Sequence, residues 1–252
     1  MVNSFKGLAK PVNGWVERRY RGISVFWRRL GGMPSFEGLT VMDFGCGDGH
    51  MGFTLAEQGA KKVVALDINR GCIQEADCRL TREFPHLDGI LEFRCESLPA
   101  LGERFDAIVS RDAFEHIIGL ETLWERLISV LNPGGRLYLG FGPLWNSPFG
   151  GHRRMKLFFP WTHVFLPEAW LLKWVNRHRN EPVASVAELG LNRFSLKAYQ
   201  DLFMDSRLEV ILWKVNHGDI PLSRLFSHLC RIPFLGEYFS HDIYAVFGKK
   251  DA

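Results

Sequence analysis

The sequence predicts an α/β fold: a doubly wound, mostly parallel sheet of seven strands whose last strand is antiparallel. Three observations carry this prediction. Short apolar runs alternate with helical stretches between residues 39 and 141. The first run leads directly into three alternating glycines, Gly45, Gly47 and Gly49. The rhythm then breaks at 142–192 and again at 216–241, as expected for insertions after the fifth and sixth strands. Parallel strands are apolar on both faces and need helices above and below, which this alternation supplies.

Residues 12–30 open the chain with aromatic and arginine side chains at loosely helical spacing, and Gly31, Gly32 and Pro34 stop them. This stretch predicts a helical cap over 1–38, ahead of a main domain over 39–252. The first strand is expected at 39–44, a helix at 51–59, the second strand at 62–68 and a helix over 70–84. A third strand follows at 89–95 and a fourth at 105–110. An amphipathic helix over 120–132 stops at Pro133-Gly134-Gly135, and a fifth strand spans 136–141. Beyond the first insertion come a helix at 195–206, a strand at 208–215 and a last strand at 241–249. Connections as long as the two insertions are usually functional, so both are expected to act as substrate-side lids.

Composition narrows the class. The chain's 252 residues fit one domain, and 46% hydrophobic content can fill its core. A net charge of +3 gives no nucleic-acid signature, so no nucleic-acid partner is expected. Cys46, Cys72, Cys78, Cys95 and Cys230 are scattered and lack a CxxC pair, which points to reduced thiols and a cytoplasmic location. The first residues contain no apolar signal core, and no run approaches the ~18 apolar residues of a membrane span.

The sharpest motif is Val41-Met42-Asp43-Phe44-Gly45-Cys46-Gly47-Asp48-Gly49. Glycine suits a turn that is tight and lies directly against a ligand, because a Cβ would block both. The second strand ends in Asp67, where this architecture offers a carboxylate to a ribose diol. With the Glu115-His116 pair and the segment leading into the fifth strand, the chain resembles the class I S-adenosylmethionine (SAM)-dependent methyltransferases. These have a Rossmann-like fold, and many small-molecule members carry a VLDxGCGxG first motif. The resemblance covers residues 39–141 in register and extends loosely to the last two strands. It implies SAM as cofactor, with Asp43 and the backbone of Phe44, Gly45, Cys46 and Gly47 facing the methionine moiety. It further implies Asp67 on the ribose, Ile68 on the adenine and Glu96 on the adenine amino group, with Ser97 and Arg111 completing the set.

A dinucleotide site is the competing reading, since Gly47-Asp48-Gly49-His50-Met51-Gly52 spells GxGxxG. Asp43 immediately before the glycines would repel a pyrophosphate, whereas it suits a cationic amino acid. Methyl transfer to a hydroxyl also needs a base, and the candidates are His152, His163 and His116. The alternative roles are turn capping or packing for the two lid histidines and pocket shaping for His116. Asp112-x-x-Glu115-His116 resembles the Glu-x-x-Glu-His order of coenzyme Q O-methyltransferases, where the carboxylates help hold a divalent metal. Here the first Glu is Asp, and exposed acids at a helix start are the plainer reading, so no metal is assigned. Between 142 and 192 the chain gathers Trp145, Phe149, Phe158, Phe159, Trp161, Phe165, Trp170 and Trp174 with Arg153, Arg154 and Lys156. This suits an apolar substrate with an acidic or polyhydroxylated head, and peripheral contact with an anionic membrane is the other use. The expected function is O-methylation of a small molecule, lipid-linked or carbohydrate-like. N- or C-methylation and a non-catalytic SAM-binding protein are the alternatives.

Overall fold

The computed structural model describes residues 14–99, 102–157, 159–177, 179–216, 221–232 and 234–251. Residues 1–13 of the expected cap, Phe158 and residues 217–220 of the second insertion lie outside these. The strands are β1 Thr40–Phe44, β2 Lys62–Asp67, β3 Leu91–Cys95, β4 Phe105–Arg111, β5 Leu131–Phe141, β6 Leu208–Val215 and β7 Ile243–Lys249. They lie side by side in the order β3-β2-β1-β4-β5-β7-β6. Pairing is parallel from β3 through β5, and β7 runs antiparallel to both β5 and β6. The order therefore reverses between β1 and β4, the switch point beyond which ligands bind in open α/β sheets.

Alternation along the strands builds two cores. Val41, Val63, Ala65 and Val109 face a core completed by Ile23 and Phe26 of α1 (Gly14–Arg29), Phe53 of α2 (His50–Glu57) and Ile73 of α3 (Arg70–Glu83). Met42, Val64, Leu66 and Ile108 face the opposite core, with α4 (Leu120–Val130) and α7 (Leu196–Phe203). In α4 the buried residues Leu120, Leu123, Trp124, Leu127 and Ile128 recur at helical spacing, which seats one apolar stripe on the sheet. Asn69 caps α3 by accepting hydrogen bonds from Gly71 N and Cys72 N.

The boundary between α4 and β5 differs from expectation. The helix stops at Val130 and the strand begins at once, because Leu131 pairs with Phe105. A register shift between Phe105 and Ala107 then absorbs the Pro133-Gly134-Gly135 segment within β5.

The first insertion holds two short helices, α5 (Thr162–Phe165) and α6 (Glu168–Asn176). It has a small core of its own, formed by Trp145, Met155, Val175, Val186, Leu189 and Leu191. The second contributes α8 (Pro221–Leu229) and α9 (Gly236–Phe239). The two insertions are tied together. Asn146 Nδ2 donates to Glu237 Oε1 at 2.8 Å, and Trp161 Nε1 donates to Tyr238 O at 3.0 Å. No described helix is long and apolar enough to cross a membrane.

Candidate active site

The glycine turn leaves β1 at the C-terminal edge of the sheet, and its three glycines do different things. Gly45 has φ +72°, and a Cβ there would fall 2.5 Å from Ala113 Cβ, so the turn can approach the loop after β4 only as glycine. Gly49 has φ +81°, and a Cβ would enter the Phe93 ring at 2.5 Å, so this glycine lets α2 close on β3. Gly47 has φ +53°, and nothing lies within 4 Å of the position its Cβ would take. Of the three, only Gly47 turns its missing side chain toward open space.

Hydrogen bonds fix this turn to β2. Gly45 N and Cys46 N both donate to Leu66 O, at 2.9 and 3.0 Å. Gly47 N donates to Asp67 Oδ2 at 2.8 Å, and Asn69 N donates to Asp67 Oδ1 at 2.8 Å. Both carboxylate oxygens of Asp67 are thus oriented, each with a further lone pair to offer. Ile68 beside it is 75% exposed, an apolar side chain held out at the rim. Cys95 Sγ donates to Ile68 O at 3.6 Å, which draws the end of β3, followed by the exposed Glu96 and Ser97, to the same rim.

Asp43 is 2% exposed at the end of β1, and its Oδ2 has no hydrogen-bond partner among the described residues. Burial raises its pKa to about 7, against the opposing charge of Arg111. A buried carboxylate oxygen without a donor calls for a partner, and at the end of β1 a cationic ligand fits it. The Cys46 thiol is buried next to Asp43 and held far above its usual pKa, so it stays a neutral, inert wall. The Phe44 ring lies in the core against Phe114, while Phe44 O accepts from Ser110 Oγ at 2.9 Å.

Helix α1 closes this edge from above. A Cβ on Gly22 would come 3.0 Å from Arg111 Nη1, and the Tyr20 ring meets His50 edge-on at 5.4 Å. A cavity of about 470 Å³ lies between α1 and the end of β4, lined by Arg21, Val25, Arg111, Asp112 and Tyr244.

The loop after β4 differs from the sequence expectation. Asp112 and Glu115 do not share an exposed face. Asp112 has φ +56° and an exposed side chain, whereas Glu115 is 4% exposed. Glu115 Oε1 accepts from Gly142 N at 3.2 Å, Oε2 has no partner among the described residues, and burial raises its pKa to about 8. Sequence reasoning named Glu115 but read it as an exposed acid, because only the tertiary fold buries it. Among the described residues, no cluster of three His, Cys, Asp or Glu side chains is arranged to hold a metal ion.

A second cavity, of about 610 Å³, lies under the first insertion and is lined by His152, His163, Arg154 and His241 with Phe149 and Phe159. The three candidate histidines each face a backbone carbonyl: His116 Nδ1 to Gly190 O at 2.8 Å, His152 Nε2 to Pro143 O at 3.1 Å, and His163 Nε2 to Trp145 O at 2.6 Å. A carbonyl only accepts, so each ring donates there and keeps its other nitrogen as a base. The His116 and His152 rings lie 4.8 Å apart, while His163 packs on Trp145. Burial lowers the pKa of all three, with His152 brought down to about 4. His241, which the sequence did not single out, lines the same cavity and is also lowered by burial.

Comparison with known proteins agrees with this geometry. Residues 41–135 match the model of a family described as methyltransferase domain. The human mitochondrial ubiquinone biosynthesis O-methyltransferase is 36% identical over 106 residues, which cover 40% of this chain and 28% of that protein. A ubiquinone biosynthesis O-methyltransferase from Chelativorans sp. is 32% identical over 107 residues, 41% of this chain and 40% of that protein. The chain thus spans less than half the length of the curated relatives it matches. Among solved structures, a SAM-dependent methyltransferase from Mesorhizobium loti superposes with a TM-score of 0.58 at 16% identity, covering 88% of this chain and 96% of that one. The glycine turn, the Asp43 oxygen without a partner among the described residues and the oriented Asp67 suit a ligand of SAM's chemistry, and residues 41–135 are similar to the methyltransferase-domain family.

Proposed function

We propose that this protein methylates a hydroxyl of a small molecule held in the cavity beneath the two insertions. One observation carries the reading: at the edge of the sheet that bears the glycine turn, the chain continues from β5 into a roofed cavity lined by histidines with one basic nitrogen each. SAM, when bound, supplies a methyl group already activated by its sulfonium. Asp43 would meet the cationic methionine end, Asp67 the ribose hydroxyls, Ile68 the adenine face and Glu96 its amino group, with Ser97 and Arg111 beside them. The insertions would exclude water and hold the acceptor in line, which is most of what such a displacement requires. Removal of the hydroxyl proton falls to His163 or His152. Both are held neutral at pH 7, the form a base needs, and His152 at about 4 is a weak base. That several relatives are named O-methyltransferases supports an oxygen acceptor.

The test is transfer of label from methyl-labelled SAM to a metabolite panel. His163→Ala or His152→Ala should lower turnover about a hundredfold while SAM affinity holds. Full activity in both variants would turn the reading toward a nitrogen or carbon acceptor. SAM binding with transfer to nothing would mark a non-catalytic binding protein.

A further inference from the structure

We propose that the cavity under the first insertion takes an amphiphile with an anionic head, a carboxylate, sulfate or phosphate, and that Arg154 binds that head. The proposal rests on the methyl-transfer reading, because it names the kind of acceptor that site receives. Arg154 lines the cavity, and its Nη1 donates to Leu189 O and, at 3.3 Å, to Gly190 O. Glycine at 190 lets the guanidinium lie directly against the backbone: a Cβ there would fall 2.5 Å from Nη1 and displace it. Two carbonyls aim the guanidinium but leave its charge uncompensated. No carboxylate among the described residues forms an ion pair with it.

The one acid whose field reaches Arg154 is Glu115, which burial keeps protonated up to about pH 8. His152, His163 and His241 are held neutral by the same burial, so Arg154 is the permanent cation of this wall among its described residues. The surrounding charge favours the same ligand. The first insertion as a whole, 142–192, carries six Lys and Arg residues against the three acids Glu168, Glu181 and Glu188, a net positive charge that draws anions in. The rest of the cavity is apolar, and Phe149 and Phe159 stand 47% and 77% exposed on its wall. Rings left in water there gain by being covered, and an alkyl tail leaving the cavity would cover them. At about 610 Å³ the space holds a ligand of drug-like size rather than a single ring.

The experiment is calorimetry on the full chain saturated with S-adenosylhomocysteine (SAH), titrated with decyl phosphate below its micellar concentration and with neutral decyl glucoside. Decyl phosphate should bind at least about tenfold more tightly than the glucoside. Arg154→Met should remove about ten- to a hundredfold of the phosphate affinity and leave the glucoside unchanged, as expected for lost charge-assisted hydrogen bonds. Phe159→Ser should weaken both. Sedimentation with phosphatidylglycerol vesicles, against phosphatidylcholine vesicles, separates the sources: retention that decyl phosphate reverses assigns a lipid headgroup, and no retention assigns a soluble amphiphile. Equal affinity for the two decyl compounds, or phosphate affinity unchanged in Arg154→Met, overturns the proposal. If Arg154→Met does not fold, the salt dependence of the unaltered protein decides, because only the phosphate titration should weaken with ionic strength. An unaltered protein that fails to bind SAH defeats the methyl-transfer reading as well. SAH binding without decyl phosphate binding defeats this proposal alone.

Discussion

Asp43 and Glu115 are both enclosed carboxyl groups, each with one oxygen left without a hydrogen bond. Their pKa values are raised to about 7 and about 8, while an unfolded chain titrates them near ~4. From about pH 4 to pH 8 the folded state therefore keeps protons that the unfolded chain releases. The stability these groups contribute is full below about pH 4 and is lost as pH rises through 7 and 8. The unfolding temperature of Asp43→Asn and of Glu115→Gln should accordingly fall less steeply with pH than that of the unaltered protein. Parallel slopes would mean that both carboxyls are ionised in the fold. Asp43 makes a second prediction, because a cationic cofactor binds its ionised form. SAM affinity should climb with pH to about 7 and then level off, with protons released on binding below that point. Asp43→Asn should abolish the climb and weaken binding about tenfold above pH 7, which calorimetry in buffers of different ionisation enthalpy would measure. Neither behaviour was legible in the sequence. Asp43 was recognised by its place before the glycines, but Glu115 read as an exposed acid at a helix start.

The place of the glycine turn was legible in the sequence, but its division of labour was not. Its position after β1 followed from the motif, yet three identical glycines concealed separate duties. Gly47→Ala places a methyl group in open space at φ +53°, so it should cost the fold about 1–2 kcal/mol while sharply reducing SAM affinity. Gly49→Ala drives a methyl group into the Phe93 ring as well as straining the backbone, and should lose about 2–4 kcal/mol. Thermal unfolding with and without SAH separates the two, and equal losses of stability would undo the assignment. Strands such as β1, β2 and β6 were legible because buried β-rich runs bounded by turn residues admit little else. The start of β5 was not, because Pro133-Gly134-Gly135 reads as a stop. Only its pairing with β4 keeps that segment in the sheet.

At the scale of the whole molecule, Glu237 supplies one of the hydrogen-bond links between the two insertions, beside the bond from Trp161 Nε1 to Tyr238 O. Glu237 Oε1 accepts from Asn146 Nδ2 in the first insertion and from Leu196 N, both at 2.8 Å. Glu237→Ala should cost about 1–3 kcal/mol locally. It should also speed proteolysis within 142–192 and raise KM for the acceptor, with SAM affinity little changed. Protease resistance equal to that of the unaltered protein would show that the roof is held elsewhere. That insertions follow β5 and β6 was legible from the broken rhythm. Their mutual hydrogen bonds were not, since they join residues 91 and 77 positions apart. The private core of the first insertion has a further consequence. Trp145, Met155, Val175, Val186, Leu189 and Leu191 touch one another rather than the sheet. Substitutions among these six should therefore be felt first inside the insertion, whose links to the loop after β4 run through Gly190 O, facing His116 Nδ1, and through Asn192 Nδ2, which donates to Phe114 O. On the proposed reading, a single stretch of sequence sets the choice of acceptor, and that stretch is the natural unit to graft onto a related scaffold.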